Sequence, residues 1–339
     1  MNPSNTPSSS PSYALNSLKD RRFLDHAKIK VPVICGAMYP CSNPELVAAA
    51  SEGGGLGVVQ PLSLTYVHGY DLREGLKKIR SLTAQPYGFN ILTEASSKVY
   101  QDRMKKYLDV ALEEGCRFFV SALGNPKWIV DRVSSVGGIV YHDVTEKKWA
   151  EKALAAGVHG LIAVNNRAGG HLGTLTPEKL WEDLSTLGVP VVGAGGAGNA
   201  EDVKKLLNLG YAGVQMGTRF IATTECTAHA TYKDAILKAQ SSDIVASERI
   251  TGVPVSIIRT PEIDRMGLKA GPLARWMLKN PKLKHWARLW FSIKSFRDLK
   301  KVHHQGSGHK DFWQAGKSVD SINSIESAAQ IMRSIGQSL

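Results

Sequence analysis

The chain has 339 residues, 43% of them hydrophobic and 21% charged, with 32 glycines and a formal net charge of +12. That length admits one (β/α)8 barrel of about 250 residues with additions, or two ordinary domains, and the composition is that of a soluble globular protein. No apolar run reaches the roughly 18 residues of a membrane-spanning helix. The four cysteines (Cys35, Cys41, Cys116 and Cys226) form no C-x-x-C, which argues against a disulfide framework or a structural zinc site, so no metal is expected and a reducing cytoplasm is the expected compartment.

Met1 to Ser12 is rich in Ser, Pro and Asn and has neither the basic nor the apolar stretch of a secretory signal, so residues 1–20 are expected to be a disordered leader. From about residue 30, short apolar runs alternate with longer segments of helical period. The expected strands are Pro32–Ala37, Leu56–Val59, Tyr87–Ile91, Arg117–Ser121, Gly138–His142, Gly160–Val164, Val189–Ala194 and Gly213–Met216. Between them, Asn43–Glu52, Asp102–Glu114, Glu146–Ala156 and Ala200–Leu209 read as helices. Asn43, Thr145 and Asn199 stand where helix caps belong, and Gly53, Gly115, Gly157 and Gly210 follow as left-handed stop signals. Strands that are apolar throughout are buried on both faces, as in a parallel sheet covered by crossover helices. Eight of them close a barrel over residues 21–250, with a doubly wound open sheet as the alternative. After about Ala246 the alternation stops, and residues 251–339 read as a helical extension packed on the barrel, ending in an amphipathic helix over Ser318–Leu339.

Four stretches at strand ends carry the chemistry. The glycine-rich turn Gly193–Gly198, with Gly195 and Gly196 at its centre, follows the seventh strand and precedes a helix, the geometry in which backbone N–H groups converge on an anion. Its G-x-G-x-x-G spacing also fits a dinucleotide site, but that motif belongs to a first βα turn with an acid about 20 residues on, and Tyr211–Thr218 contains none. The second stretch, Gly213–Phe220 with Gln215, Met216, Gly217 and Thr218, follows the eighth strand; barrels often build a phosphate site from these two loops. Its Arg219 could pair with a phosphate or with a carboxylate. The third, Ala168-Gly169-Gly170-His171, sets a histidine among glycines just past the sixth strand, where an imidazole can take a proton from carbon or donate to an oxyanion. The fourth joins Gly36-Ala37-Met38 to Asn90, whose amide offers a donor and an acceptor to a heterocycle edge or, more plainly, makes a turn.

Pro32–Met38, Glu52–Gly57, Pro86–Asn90, Ala168–His171 and Gly213–Phe220, in this order and spacing, resemble the nitronate monooxygenase (2-nitropropane dioxygenase) family of FMN-containing barrels. Gln314-Ala315-Gly316 is similar to the family's C-terminal part. The resemblance implies FMN contacts at Asn90, Gly169, Gly170, Gly195, Gly196, Gln215, Met216, Gly217 and Thr218. It also implies backbone of Ala37 and Met38 under the flavin ring and His171 as the catalytic histidine. One departure stands out: relatives carry Gln-Gly-x-Glu where this chain has Val164-Asn165-Asn166-Arg167, so a cation replaces a carboxylate beside the site. An inward-pointing Arg167 would attract an anionic substrate.

The implied reaction is oxidation of an alkyl nitronate by dioxygen to a carbonyl compound and nitrite. The alternative is an NAD(P)H-dependent reductase of quinones or of an enoyl thioester, since related barrels share the flavin site and differ in their loops. A different class of function concerns Arg275 to Lys301, where nine Lys and Arg face one Asp, a net +8 of the chain's +12. Trp276, Trp286, Trp290, Phe291 and Phe296 interleave with them. Such a pattern fits an amphipathic helix packed on the barrel, or peripheral association with an anionic membrane; no nucleic-acid partner is expected.

Overall fold

The computed structural model describes residues 18–93, 98–249, 254–271, 276–277, 280, 299–300 and 312–339. Eight parallel strands close into a barrel: β1 (Val33–Cys35), β2 (Leu56–Val59), β3 (Gly88–Leu92), β4 (Phe118–Ala122), β5 (Ile139–Val144), β6 (Gly160–Val164), β8 (Val191–Ala194) and β9 (Gly213–Met216). The remaining strand in this span, β7, is the two-residue Gly170–His171 outside the barrel. Closure, which periodicity left open, is made by β9 against β1, with Val33 opposite Val214 and Cys35 opposite Met216.

The apolar strands are explained by two cores. Side chains alternate across a strand, so Phe118 and Val120 of β4 point into the barrel, while Phe119 packs outward under the helices. The inner core also takes Ile34, Leu56, Val58, Tyr141, Ile162 and Val192.

A helix over Arg22–Ala27 stoppers the end of the barrel where the strands begin. The Asp20 carboxylate accepts from the Arg22 N–H at 3.0 Å at its start, and Lys28 ends it at φ 56°. Phe23 inserts among Phe118 and Tyr141, with ring centroids 6.0 and 5.8 Å away, and the Tyr141 hydroxyl meets His26 Nδ1 at 3.1 Å. A Cβ at Gly213 would lie 2.5 Å from the Phe23 ring, which fixes glycine there.

Helix ends match the sequence reading with three exceptions, the first being Asn43, which precedes the helix Pro44–Glu52 but makes no side-chain cap. Asn199 caps as expected, its side chain accepting from Asp202 N–H at 2.9 Å. Thr145 does not, because the helix Lys147–Ala155 starts behind Glu146 without a side-chain cap. Gly53 has φ −71°, and Gly54, at φ 95°, makes the left-handed turn. Gly53 is small for another reason: a Cβ there would lie 2.5 Å from that of Met332, on the closing helix.

That closing helix spans Ala328–Ser338 and buries Ile331, Met332 and Ile335. Residues 317–321 before it form a short 3-10 turn rather than the start of a helix. The extension is not purely helical either. Strands β10 (Ile244–Ser247) and β11 (Val255–Ile258) form an antiparallel sheet in the order β10-β11-β7. Its strands of two to four residues have no repeating partner segment, so no alternation announces them. The basic stretch 275–301 lies almost wholly outside the described residues. At its end, Leu299 is buried and Lys300 Nζ donates to the Tyr66 carbonyl at 2.6 Å. Among the described residues no helix is long and apolar enough to cross a membrane.

Candidate active site

With Phe23 plugging one end, the other end of the barrel opens into a cavity of about 1830 Å³. Ala37, Met38, Asn90, Gly169, Gly170, His171, Gly195, Gly196, Gln215, Met216, Gly217 and Thr218 all contribute to its wall. Residues drawn from five separate stretches of chain are thereby brought together, because the strands that carry them all end on the same rim.

The turn after β8 is the most constrained part of this rim. Gly195 and Gly196 adopt φ of 115° and 89°, where L side chains are strained. A Cβ at Gly195 would also lie 2.5 Å from Ala168 N and from Asn165 Oδ1. Among the described residues nothing accepts a hydrogen bond from the backbone N–H of Gly196, Ala197, Gly217 or Thr218. Unpaired amides at the ends of adjacent strands suit an anionic oxygen such as a phosphate.

Asn165, fully buried at the end of β6, ties the two glycine loops together and was not singled out from sequence. Its Nδ2 donates to the Gly195 carbonyl at 3.0 Å, and its Oδ1 accepts from Arg167 N–H at 2.8 Å. The available signal was a polar residue directly ending an apolar strand. Beside it, Gly169 and Gly316 meet back to back, each too close to the other's backbone for a Cβ. Gly316 N–H donates to Thr218 Oγ1 at 2.9 Å and Lys317 N–H to the Arg167 carbonyl at 2.9 Å, so Gln314-Ala315-Gly316 is stitched into the cavity wall.

The two arginines fall in different places. Arg167 lays its side chain along Gly196, with Nε 2.9 Å from where a Cβ would stand, so its charge sits at the glycine-rich turn. Arg219 is buried; its Nη2 donates to the carbonyls of Ala222 and Ser324 at 2.7 and 2.6 Å, and Nη1 lies 3.7 Å from Glu326. It ties the C-terminal segment to the barrel and faces a carboxylate, the second of its two readings.

Beside the turn, on the neighbouring strand β9, the Gln215 side chain covers Gly36, whose Cβ position is 3.1 Å from Gln215 Cγ. Asn90 donates to the Val120 carbonyl at 3.3 Å, which orients its amide. Met38 has both backbone groups engaged, its N–H to Ser42 Oγ at 2.8 Å and its carbonyl from Ser63 Oγ at 3.2 Å.

His171 is not on a free loop. It forms β7, pairing with Val255 of β11, and this sheet aims the imidazole into the cavity. The ring is reachable from solvent but recessed, and desolvation holds its pKa below the ordinary histidine value. It is therefore neutral at neutral pH and able to accept a proton. Two more titratable groups, both unanticipated, line the cavity from β5. His142 Nδ1 meets Ser121 Oγ at 2.8 Å, and burial pushes it down to about 4. Burial pushes the Asp143 carboxyl up to about 7. Their signal was position: both lie near the end of a barrel strand, at the rim where barrel ligands bind.

Residues 20–338 match the family model described as nitronate monooxygenase. One relative, "(3aS,4S,5R,7aS)-5-hydroxy-7a-methyl-1-oxo-octahydro-1H-indene-4-carboxyl-CoA dehydrogenase" of Rhodococcus jostii, is 28% identical over 239 residues, covering 70% of this chain. The match spans 65% of that relative's own length, just under two thirds. A probable nitronate monooxygenase of Staphylococcus saprophyticus is 26% identical over 281 residues, covering 70% of this chain and 78% of the relative. The solved structure of FabK from Thermotoga maritima superposes with a TM-score of 0.74 at 27% identity, covering 93% of this chain and 94% of that one.

Proposed function

Because the chain belongs to the nitronate monooxygenase family of oxidoreductases, we propose that it is an FMN-dependent nitronate monooxygenase, turning an alkyl nitronate and dioxygen into a carbonyl compound and nitrite. The observation that carries this reading is a neutral His171 in the wall of a cavity whose rim also offers unpaired backbone N–H groups.

The residues fit FMN. The amides of Gly196, Ala197, Gly217 and Thr218 would hold its phosphate, with the Arg167 charge over the same turn. Gln215 and Asn90 would meet the edge of its ring, and Met38, whose backbone is already engaged, would pack through its side chain. When bound, FMN supplies the ring that takes electrons from the nitronate and passes them to dioxygen. His171 removes the α-proton of a neutral nitroalkane, or donates to a nitronate oxygen once protonated. The glycines around it let substrate approach the backbone closely.

A second reading, an NAD(P)H-dependent reductase of an enoyl thioester or quinone, is favoured by the size and charge of the cavity. Small-molecule sites run to about 300–1,000 Å³, and this one is about 1830 Å³ with Arg103, Lys127 and Lys152 on its wall. A nucleotide-bearing ligand would use both the room and the cations.

Anaerobic mixing separates the two. Bleaching of the flavin absorbance by propyl-2-nitronate, with NADH and NADPH inert, is expected of the monooxygenase; the reverse pattern moves the protein to the reductases.

A further inference from the structure

Asp143, the penultimate residue of β5, stands on the inner face of the barrel. Tyr141, two residues earlier, belongs to the inner core with Phe118 and Ile162, and alternation along the strand brings Asp143 to the same side at the open end. His142 between them turns the other way, onto Ser121. The Asp143 Oδ1 atom is buried and meets no hydrogen-bond donor, while the residue forms part of the cavity wall.

Its surroundings offer no countercharge. The adjoining strand ends present Ala122 on β4 and Val164 on β6, and the polar groups facing in from β3 and β9 are the neutral Asn90 and Gln215. The Tyr141 hydroxyl below is turned to His26. The cavity's ionised side chains, Arg103, Lys127, Lys152 and Arg167, and its second imidazole, His171, leave the carboxyl unperturbed; burial alone raises it. A half-buried carboxyl whose inner oxygen finds no donor disfavours folding, and such groups persist where a ligand supplies what the protein withholds.

We propose that Asp143 is an oxyanion-binding residue, whose carboxyl O–H donates a hydrogen bond to the anionic oxygen of the substrate in the cavity. A neutral acid is a strong donor to an anion where an ionised one would repel it. As pH falls through about 7, Asp143 takes up its proton and becomes a donor, while His171, its pKa held below the ordinary histidine value, stays available as a base. The inference rests on the oxidoreductase reading for the ligand's chemistry: a nitronate oxygen in the first case, the oxygen of a developing thioester enolate in the second.

The test uses holoenzyme and isobutyrate, an inert carboxylate with the shape and charge of propyl-2-nitronate, titrated calorimetrically between about pH 6 and 9. Wild-type affinity is expected to fall by about tenfold per pH unit above pH 7, as the donor is lost. Asp143→Asn keeps an N–H donor and should bind within a few-fold of wild type at pH 6, with no fall above pH 7. Asp143→Leu should bind at least about tenfold more weakly at pH 6. Identical pH profiles for wild type and Asp143→Asn, wild-type affinity in Asp143→Leu, or no isobutyrate binding at all would each overturn the proposal. If Asp143→Leu does not fold, the asparagine profile decides alone. Binding is read without turnover, so a normal isobutyrate profile in a protein that leaves nitronates untouched would remove the monooxygenase reading and keep this one.

Discussion

The two ends of this barrel are built on opposite principles. At the end where the strands begin, Phe23, Phe118 and Tyr141 pack against one another, and the one buried hydroxyl among them has a partner in His26. At the end where they finish, glycines hold strained backbone, amides are left unpaired, and Asp143 Oδ1 has no donor. The first end satisfies its own groups; the second leaves groups for a ligand to satisfy. Stability and function are thus separated along one axis, and changes at either end should register in different measurements.

The largest effect is expected from His171→Ala. Loss of a positioned base lowers kcat/KM for a neutral nitroalkane by about 10²–10⁴-fold, with melting temperature and flavin content unchanged and a preformed nitronate less affected. In the wild-type protein, the acid limb of that rate should lie below the ordinary histidine range, because desolvation lowers the imidazole pKa; a limb above that range would contradict the site. Phe23→Ala should reverse the pattern, costing about 3–5 kcal/mol of stability in denaturant unfolding while kcat per bound flavin stays constant. Gly195→Ala should affect both stability and flavin retention. Its φ of 115° and the 2.5 Å approach to Asn165 leave no room for a methyl group, so a loss of about 1–3 kcal/mol should accompany flavin lost on gel filtration.

The smallest effect sharpens the comparison most. In the unfolded chain Asp143 loses its proton near 3.8, and in the folded chain only near 7, so it makes stability fall as pH rises between these values and contributes no slope above them. His142 is protonated near 6.5 when unfolded and only near 4 when folded, so it makes stability rise over nearly the same window. The two slopes oppose each other in the wild type. Thermal melts of Asp143→Asn between about pH 4 and 6.5 should therefore gain stability with pH more steeply than wild type, by a few degrees, and His142→Gln should lose it. Parallel curves for all three proteins would show that neither group is buried as described.

Much of the barrel was legible because its chemistry is local. Each strand is apolar on both faces, since one face meets Phe118-type neighbours and the other the helices, and so each reads as an unbroken apolar run. The glycines of the turns at Gly169–Gly170 and Gly195–Gly196 were legible for the same reason. Asn165 and Asp143 were not. A single polar residue at a strand end looks the same whether it makes a loop turn, locks two loops together, or stands unpaired in a cavity. Gly53 shows the converse failure: a helix-ending glycine was read for its backbone freedom, whereas it is required by the contact with Met332, far along the chain.

The sequence by itself determined the eight strands, their order, and which of their ends carry glycine and histidine, because those properties depend on neighbours within a few residues. Tertiary structure alone decided that β9 returns to β1, that β11 pins His171 in place, and that Asp143 remains without a donor. Pairing and desolvation are sums over groups brought together from distant parts of the chain, and no window of sequence contains them.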